Sequence, residues 1–225
     1  MMKRCTANPG WALWVAAGLA WTAHGAETSR VMGAIDVASG EHAGNVSTVN
    51  GSIRVADNAQ VGEAQTVNGS IALGQRASAA GLSTVNGSIH LAAGAQVRGS
   101  AQTVNGSITL EDGAEVRGGL ENVNGQIRVG AAHLGGGIVT TSGGIELGPG
   151  AHVDGGLQVR EDTSWFSFLF FLSERPRVVI GPGSVVKGTL RFERPVKLYV
   201  SERAVIGSVE GATPVRFAGE RPPAD

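Results

Sequence analysis

Cysteine is nearly missing from this 225-residue chain: Cys5 is the single one, and it stands ahead of the apolar run near the amino end. If that run is cleaved off, Cys5 leaves with it, which excludes disulfides, thiolate metal ligation and thiol catalysis from the remainder. Aromatic residues make up 5% of the sequence, and none falls between Arg30 and Arg160. A core without Phe, Tyr or Trp over that length is a thin one, filled by Val, Ile, Leu and Ala. Neither sign of charge dominates, with 18 basic residues against 19 acidic. Without residues 1–25, which hold Lys3 and Arg4 and no acid, the balance is 16 against 19. Nucleic acid needs a concentrated basic face, so no such partner is expected. After the amino end, no stretch reaches the ~20 apolar residues of a membrane-spanning helix.

The amino end itself has three recognisable parts. Lys3 and Arg4 give a positive start, Trp11 to Ala23 is apolar, and Ala23-His24-Gly25 is a small-x-small site. This pattern predicts a signal peptide over residues 1–25, cleaved before Ala26, and hence a secreted or periplasmic chain.

Glycine, by contrast, is abundant at 35 residues, and much of it lies in a repeat. The string Thr-Val-Asn-Gly-Ser-Ile begins at Thr48, Thr66, Thr84 and Thr103, with degenerate copies at Asn122 and Thr140, so the starts are 18, 18, 19, 19 and 18 residues apart. Such regularity means stacked structural units. A finer period of six runs through Val49, Val55, Val61, Val67, Leu73, Ala79, Val85, Leu91 and Val97. Four residues after the first of these, and so on along the series, come Ile53, Ala59, Gln65, Ile71, Ala77, Ser83, Ile89 and Ala95. Helical periodicity is absent and Asn-Gly punctuation would break a helix. The fold class expected is therefore all-β: a single-stranded β-solenoid, or β-helix, of either hand, with triangular coils of ~18 residues whose two six-spaced series point inward. At ~4.8 Å per coil, the six marked coils span roughly 29 Å.

On this reading the mature chain begins with an amino-terminal segment or cap over 26–46 and a repeat solenoid over 47–160. An aromatic insertion follows over 161–177, then carboxyl-terminal coils over 178–217 and a disordered tail over 218–225. The insertion carries Trp165, Phe166, Phe168, Phe170 and Phe171, fenced by charged residues on both sides. These five are candidate interaction residues. They suit either a hairpin packed on the solenoid or an exposed tip, over Trp165–Leu172, that docks on a membrane surface or another subunit. Phe192, Tyr199 and Phe217 are placed to close the carboxyl end over a broader apolar layer.

Three groups share parts of this pattern. Units such as Val55-Ala56-Asp57-Asn58-Ala59-Gln60 and Leu110-Glu111-Asp112-Gly113-Ala114-Glu115 resemble the hexapeptide repeat of left-handed β-helices, many of which are acyltransferases. The Val-Asn-Gly-Ser-Ile units resemble secreted adhesin-like β-solenoids. Gly148-Pro149-Gly150-Ala151-His152-Val153-Asp154-Gly155 and Gly181-Pro182-Gly183-Ser184-Val185-Val186-Lys187-Gly188 are similar to the polymer-forming bactofilins. The last two resemblances cover roughly residues 45–210 and imply a non-catalytic cell-envelope scaffold, adhesin-like rod or polymer subunit. Its expected partners are copies of itself or an envelope or membrane surface.

Candidate sites follow from the repeat. Asn50, Asn68, Asn86, Asn105 and Asn124 precede Gly51, Gly69, Gly87, Gly106 and Gly125. An Asn-Gly pair suits a left-handed corner, and equivalent amides on successive coils can form a ladder, a better reading of the spacing than N-glycosylation or ligand binding. The histidines are His42, His90, His133 and His152. His90 and His152 take the same outward place on different sides, whereas His133 falls in an irregular Gly-rich stretch, so no converging metal or catalytic set is expected. An enzyme acting through His90 or His152 is the alternative; no cofactor is expected on either reading.

Overall fold

The computed structural model describes residues 28–161, 175–220 and 222–223. Residues 1–25, expected to be a signal peptide, and the aromatic segment Trp165–Leu172 lie outside these residues. What is described is an all-β parallel solenoid of about nine turns with three sheets and no helix. Wall one has ten strands, from Thr28–Met32 to Val209–Glu210. Wall two has ten, from Ile35–Val37 to Val215–Phe217. Wall three has seven, all of two residues, from Ser78–Ala79 to Val205–Ile206, and isolated bridges at His42 and Gln60 extend it. Each strand pairs in parallel with its equivalent on the next coil, so the chain rises by one strand spacing per turn.

Walls two and three follow the six-residue pattern. Ile53 and Val55, Ile71 and Leu73, and Ile89 and Leu91 stack inward along wall two, all at most 1% exposed. At the entry to wall three stands a column of alanines, Ala59, Ala77, Ala95, Ala114, Ala132 and Ala151, each at most 3% exposed. A methyl group is all that fits where two walls converge, and close packing makes this a constraint on volume. Ser184 takes the column's next place, fully buried, and donates from Oγ to the Gly148 carbonyl at 2.8 Å.

Wall one departs from the pattern by one residue. Val49 and Val67, expected inside, are 40% and 38% exposed, while Thr48 and Thr66 are 4% and 5% exposed. Ala64 and Leu82 are buried in place of the expected Gln65 and Ser83. The early wall-one strands are also longer, at five or six residues against three in wall two. Side chains alternate faces along a strand, so one residue of shift turns a whole set over.

Among the described residues, buried aromatics occur only toward the carboxyl end of the core. Phe192 and Phe217 are 5% and 7% exposed, and Phe192 pairs in register with Val159 of the preceding coil. Tyr199 points outward instead, with the Arg177 guanidinium 5.2 Å from its ring centroid. The aromatic insertion leaves after Leu157–Val159 of wall one and returns to Arg177–Ile180 of wall two. In every earlier coil that same corner carries Gly or the Asn-Gly pair or its equivalent. Arg194, one coil after the insertion, donates to the Thr141 carbonyl at the corner one coil before it, at 3.1 Å.

Candidate functional site

The corner between walls one and two gives each letter of the repeat a task. The Asn amides form a ladder: Asn68 Nδ2 donates to Asn50 Oδ1 at 2.9 Å, Asn86 to Asn68 at 2.9 Å, Asn105 to Asn86 at 3.1 Å and Asn124 to Asn105 at 3.0 Å. None of these Asn residues is left-handed, contrary to expectation; the only non-glycine residues with positive φ among those described are Asn58 at 59° and Arg76 at 55°. The corner turns by another device. A Cβ at Gly69, Gly87 or Gly106 would overlap the carbonyl oxygen of Gly51, Gly69 or Gly87, so glycine is needed there for close approach.

The hydroxyls complete the corner. Thr66 Oγ1 donates to the Gly51 carbonyl at 2.9 Å, Thr84 to Gly69 at 2.9 Å and Thr103 to Gly87 at 2.9 Å. Ser52 and Ser70 each accept from the Ser backbone N–H one coil on, at 3.3 and 3.2 Å. These bonds explain buried threonine: its hydroxyl satisfies a carbonyl held inside the corner. Asn122 replaces Thr in this column, donating Nδ2 to the Gly106 carbonyl at 2.9 Å while its Oδ1 is buried without a partner. Asn122→Thr keeps the bond and removes the orphaned acceptor. It is expected to raise stability by about 1 kcal/mol, read as a higher Tm in thermal melts.

Wall three holds a different kind of cluster. His133 and His152, on strands His133–Leu134 and His152–Val153, are partners in register on adjacent coils. Their rings lie 5.4 Å apart at 47°. Asp154, two residues after His152, shares its outward face. Asp154 Oδ2 is 2.9 Å from His133 Nε2, and Oδ1 is 3.4 Å from His152 Nε2 and 2.7 Å from Lys187 Nζ. Oδ1 is shut off from solvent, with the Lys187 ammonium as its charged partner. The hydrogen bonds from Lys187 first, and from His133 second, outweigh desolvation and hold the Asp154 carboxyl down to about 2, so it is ionised at neutral pH.

The structure thus unites His133 with His152, which the sequence reading kept apart, and separates His152 from His90. His90 lies on wall two, with Nε2 3.1 Å from Glu111 of the next coil. His42 shares the outward row of His133, but Gln60, Ser78, Gln96 and Glu115 stand between them. The signal was available: His133 and His152 are 19 residues apart, one of the two spacings of the repeat. The stretch around His133 is regular in structure despite its glycines, because its strand pairs on both sides.

Two shallow surface depressions contain no histidine. One is lined by Gln126, Gly144, Glu146, Arg177, Val179 and Pro222, the other by Glu146, Pro149, Pro182, Gly183, Arg203 and Glu220. No protein-family profile matches the chain, and no curated protein or solved structure shows significant similarity to it.

Proposed function

We propose that this chain is a non-catalytic bacterial cell-envelope protein, exported by residues 1–25, whose solenoid acts as a polymer-forming or adhesin-like scaffold. The observation that carries this reading is the pair of terminal coils, whose outer strand edges are unpaired among the described residues and flanked by exposed apolar side chains. Val31 and Met32, on the first strand of wall one, are 70% and 78% exposed. Val205 and Val215, on the last coil, are 63% and 50% exposed. Among the described residues, each terminal strand offers one row of backbone donors and acceptors, a template for another strand. Because all three walls run parallel, a second copy stacked head to tail would extend each of them, and a head-to-tail contact that does not close gives a filament. His90 lends no support to catalysis, since its ring is engaged with Glu111 on an open wall.

Sedimentation velocity across a concentration range is expected to show concentration-dependent self-association, and negative-stain images rods longer than one chain. Met32→Lys and Val215→Lys, each placing charge in one end contact, are expected to shorten those rods. A strict monomer with no affinity for envelope fractions overturns the proposal.

A further inference from the structure

The cluster on wall three is the one place among the described residues where side chains of metal-ligand type converge: one ligand atom each from His133, His152 and Asp154, all within 4.8 Å of one another. We propose that His133 Nε2, His152 Nε2 and Asp154 Oδ2 form a binding site for one divalent transition-metal ion of the zinc type, bridging two adjacent coils.

The donor set fits that class. Two imidazoles and a carboxylate are ligands a borderline cation accepts, and zinc binds them at about 2.0–2.2 Å. Tetrahedral geometry at those lengths puts ligand atoms about 3.3 Å apart. Asp154 Oδ2 is already 2.9 Å from His133 Nε2, and His152 Nε2 stands 3.4 Å from Oδ1 of the same carboxylate, so binding turns the His152 ring from Oδ1 toward Oδ2. Both imidazoles turn Nε2 toward a single carboxylate, which chelation requires. His90 on wall two, by comparison, meets Glu111 with no second imidazole.

The surroundings prepare the site in two ways. Lys187 stands one coil on from Asp154, since Val185 and Val186 pair with His152 and Val153, and its ammonium takes Oδ1 at 2.7 Å. That leaves Oδ2 for the ion and fixes the carboxylate from outside, the part an outer partner plays in metal sites. Gly135 occupies the place beside Asp154 on the previous coil, where no side chain obstructs approach. With His133, His152 and Asp154 side chains 48%, 37% and 33% exposed, the fourth coordination position is open to water or to a donor from another molecule.

The test is titration of Zn2+ into the full chain, purified without a histidine tag and stripped of metal by chelator. One ion per chain is expected, with affinity lowered about 100-fold in His133→Ala and in His152→Ala, at the upper end of what even an outer partner contributes. His90→Ala should leave it unchanged. An independent reading comes from the wild-type chain alone: Co2+ should broaden the imidazole proton resonances of His133 and His152 while those of His90 stay sharp. Absence of binding by the wild-type chain, equal binding by the His133→Ala/His152→Ala double variant, or equal broadening of every histidine overturns the proposal.

Discussion

Gly87→Ala is expected to destabilise the solenoid by about 3 kcal/mol, at the upper end of what overpacking costs. For a chain of this size that corresponds to a Tm roughly 6–12 °C lower in a thermal melt. One methyl group has so large an effect because of where it would point: the Cβ would overlap the Gly69 carbonyl oxygen and carbon, with the Ser70 backbone nitrogen 3.0 Å away. Those are main-chain atoms of a stacked coil, and they cannot rotate aside as a flexible side chain would. Moving them would also disturb the bond from Thr84 Oγ1 to that carbonyl. The effect is specific to the corner, and a second glycine shows it. Gly94, at φ 71°, belongs to the left-handed corner between walls two and three, where a Cβ meets only Arg76 Cγ at 3.5 Å. Asn58 and Arg76 hold the same left-handed turn in earlier coils without glycine. Gly94→Asn is therefore expected to change stability by no more than about 0.5 kcal/mol, since Asn tolerates this conformation. If both variants melt alike, close approach is not what selects glycine beside the Asn ladder.

Much of this fold is written in the sequence because coil geometry is repetitive and each repeat states it again. The alternation of Ile53 with Val55 and of Ile71 with Leu73 is the period-2 signature of a strand buried on one face. The absence of aromatics from Arg30 to Arg160 matches a core whose narrowest column is alanine. Wall one was misread for a physical reason. Hydrophobicity alone puts Val49 and Val67 inside and Thr outside, yet a buried hydroxyl with a satisfied bond outranks an exposed valine. Polar residues enter a core when the backbone needs them, which side-chain polarity does not disclose. The histidine pair escaped for another reason. Counting in sixes from the Thr-Val-Asn string does not carry past the 19-residue coils, and His133 and His152 meet only when the extra residue is assigned to the Gly148-Pro149-Gly150 corner. Asp154 then follows from alternation, and Lys187 from the pairing of Val185 and Val186 with His152 and Val153 across the insertion.

Thr84→Val separates the two registers of wall one most sharply. Val has nearly the shape of Thr, so the change leaves packing in place and removes one hydroxyl. Thr84 is 2% exposed, and its Oγ1 donates to the Gly69 carbonyl at 2.9 Å. That carbonyl is held against Gly87 of the next coil, where a replacement donor has little access. Leaving such an acceptor unpaired is expected to cost about 2 kcal/mol, measured as a lower midpoint in urea at unchanged slope. Val85→Thr, one residue along and facing outward, is expected to stay within about 0.5 kcal/mol of the parent. The register read from hydrophobicity requires the reverse: a polar group added to the core at position 85 would destabilise, and an outward Thr84→Val would be nearly neutral. The same comparison at Thr66 and Val67 should repeat the order, because Thr66 Oγ1 makes the equivalent 2.9 Å bond to Gly51 one coil earlier. Agreement between the two coils would tie the threonine of the repeat to its inward hydroxyl, and with it the corner that keeps successive coils in step.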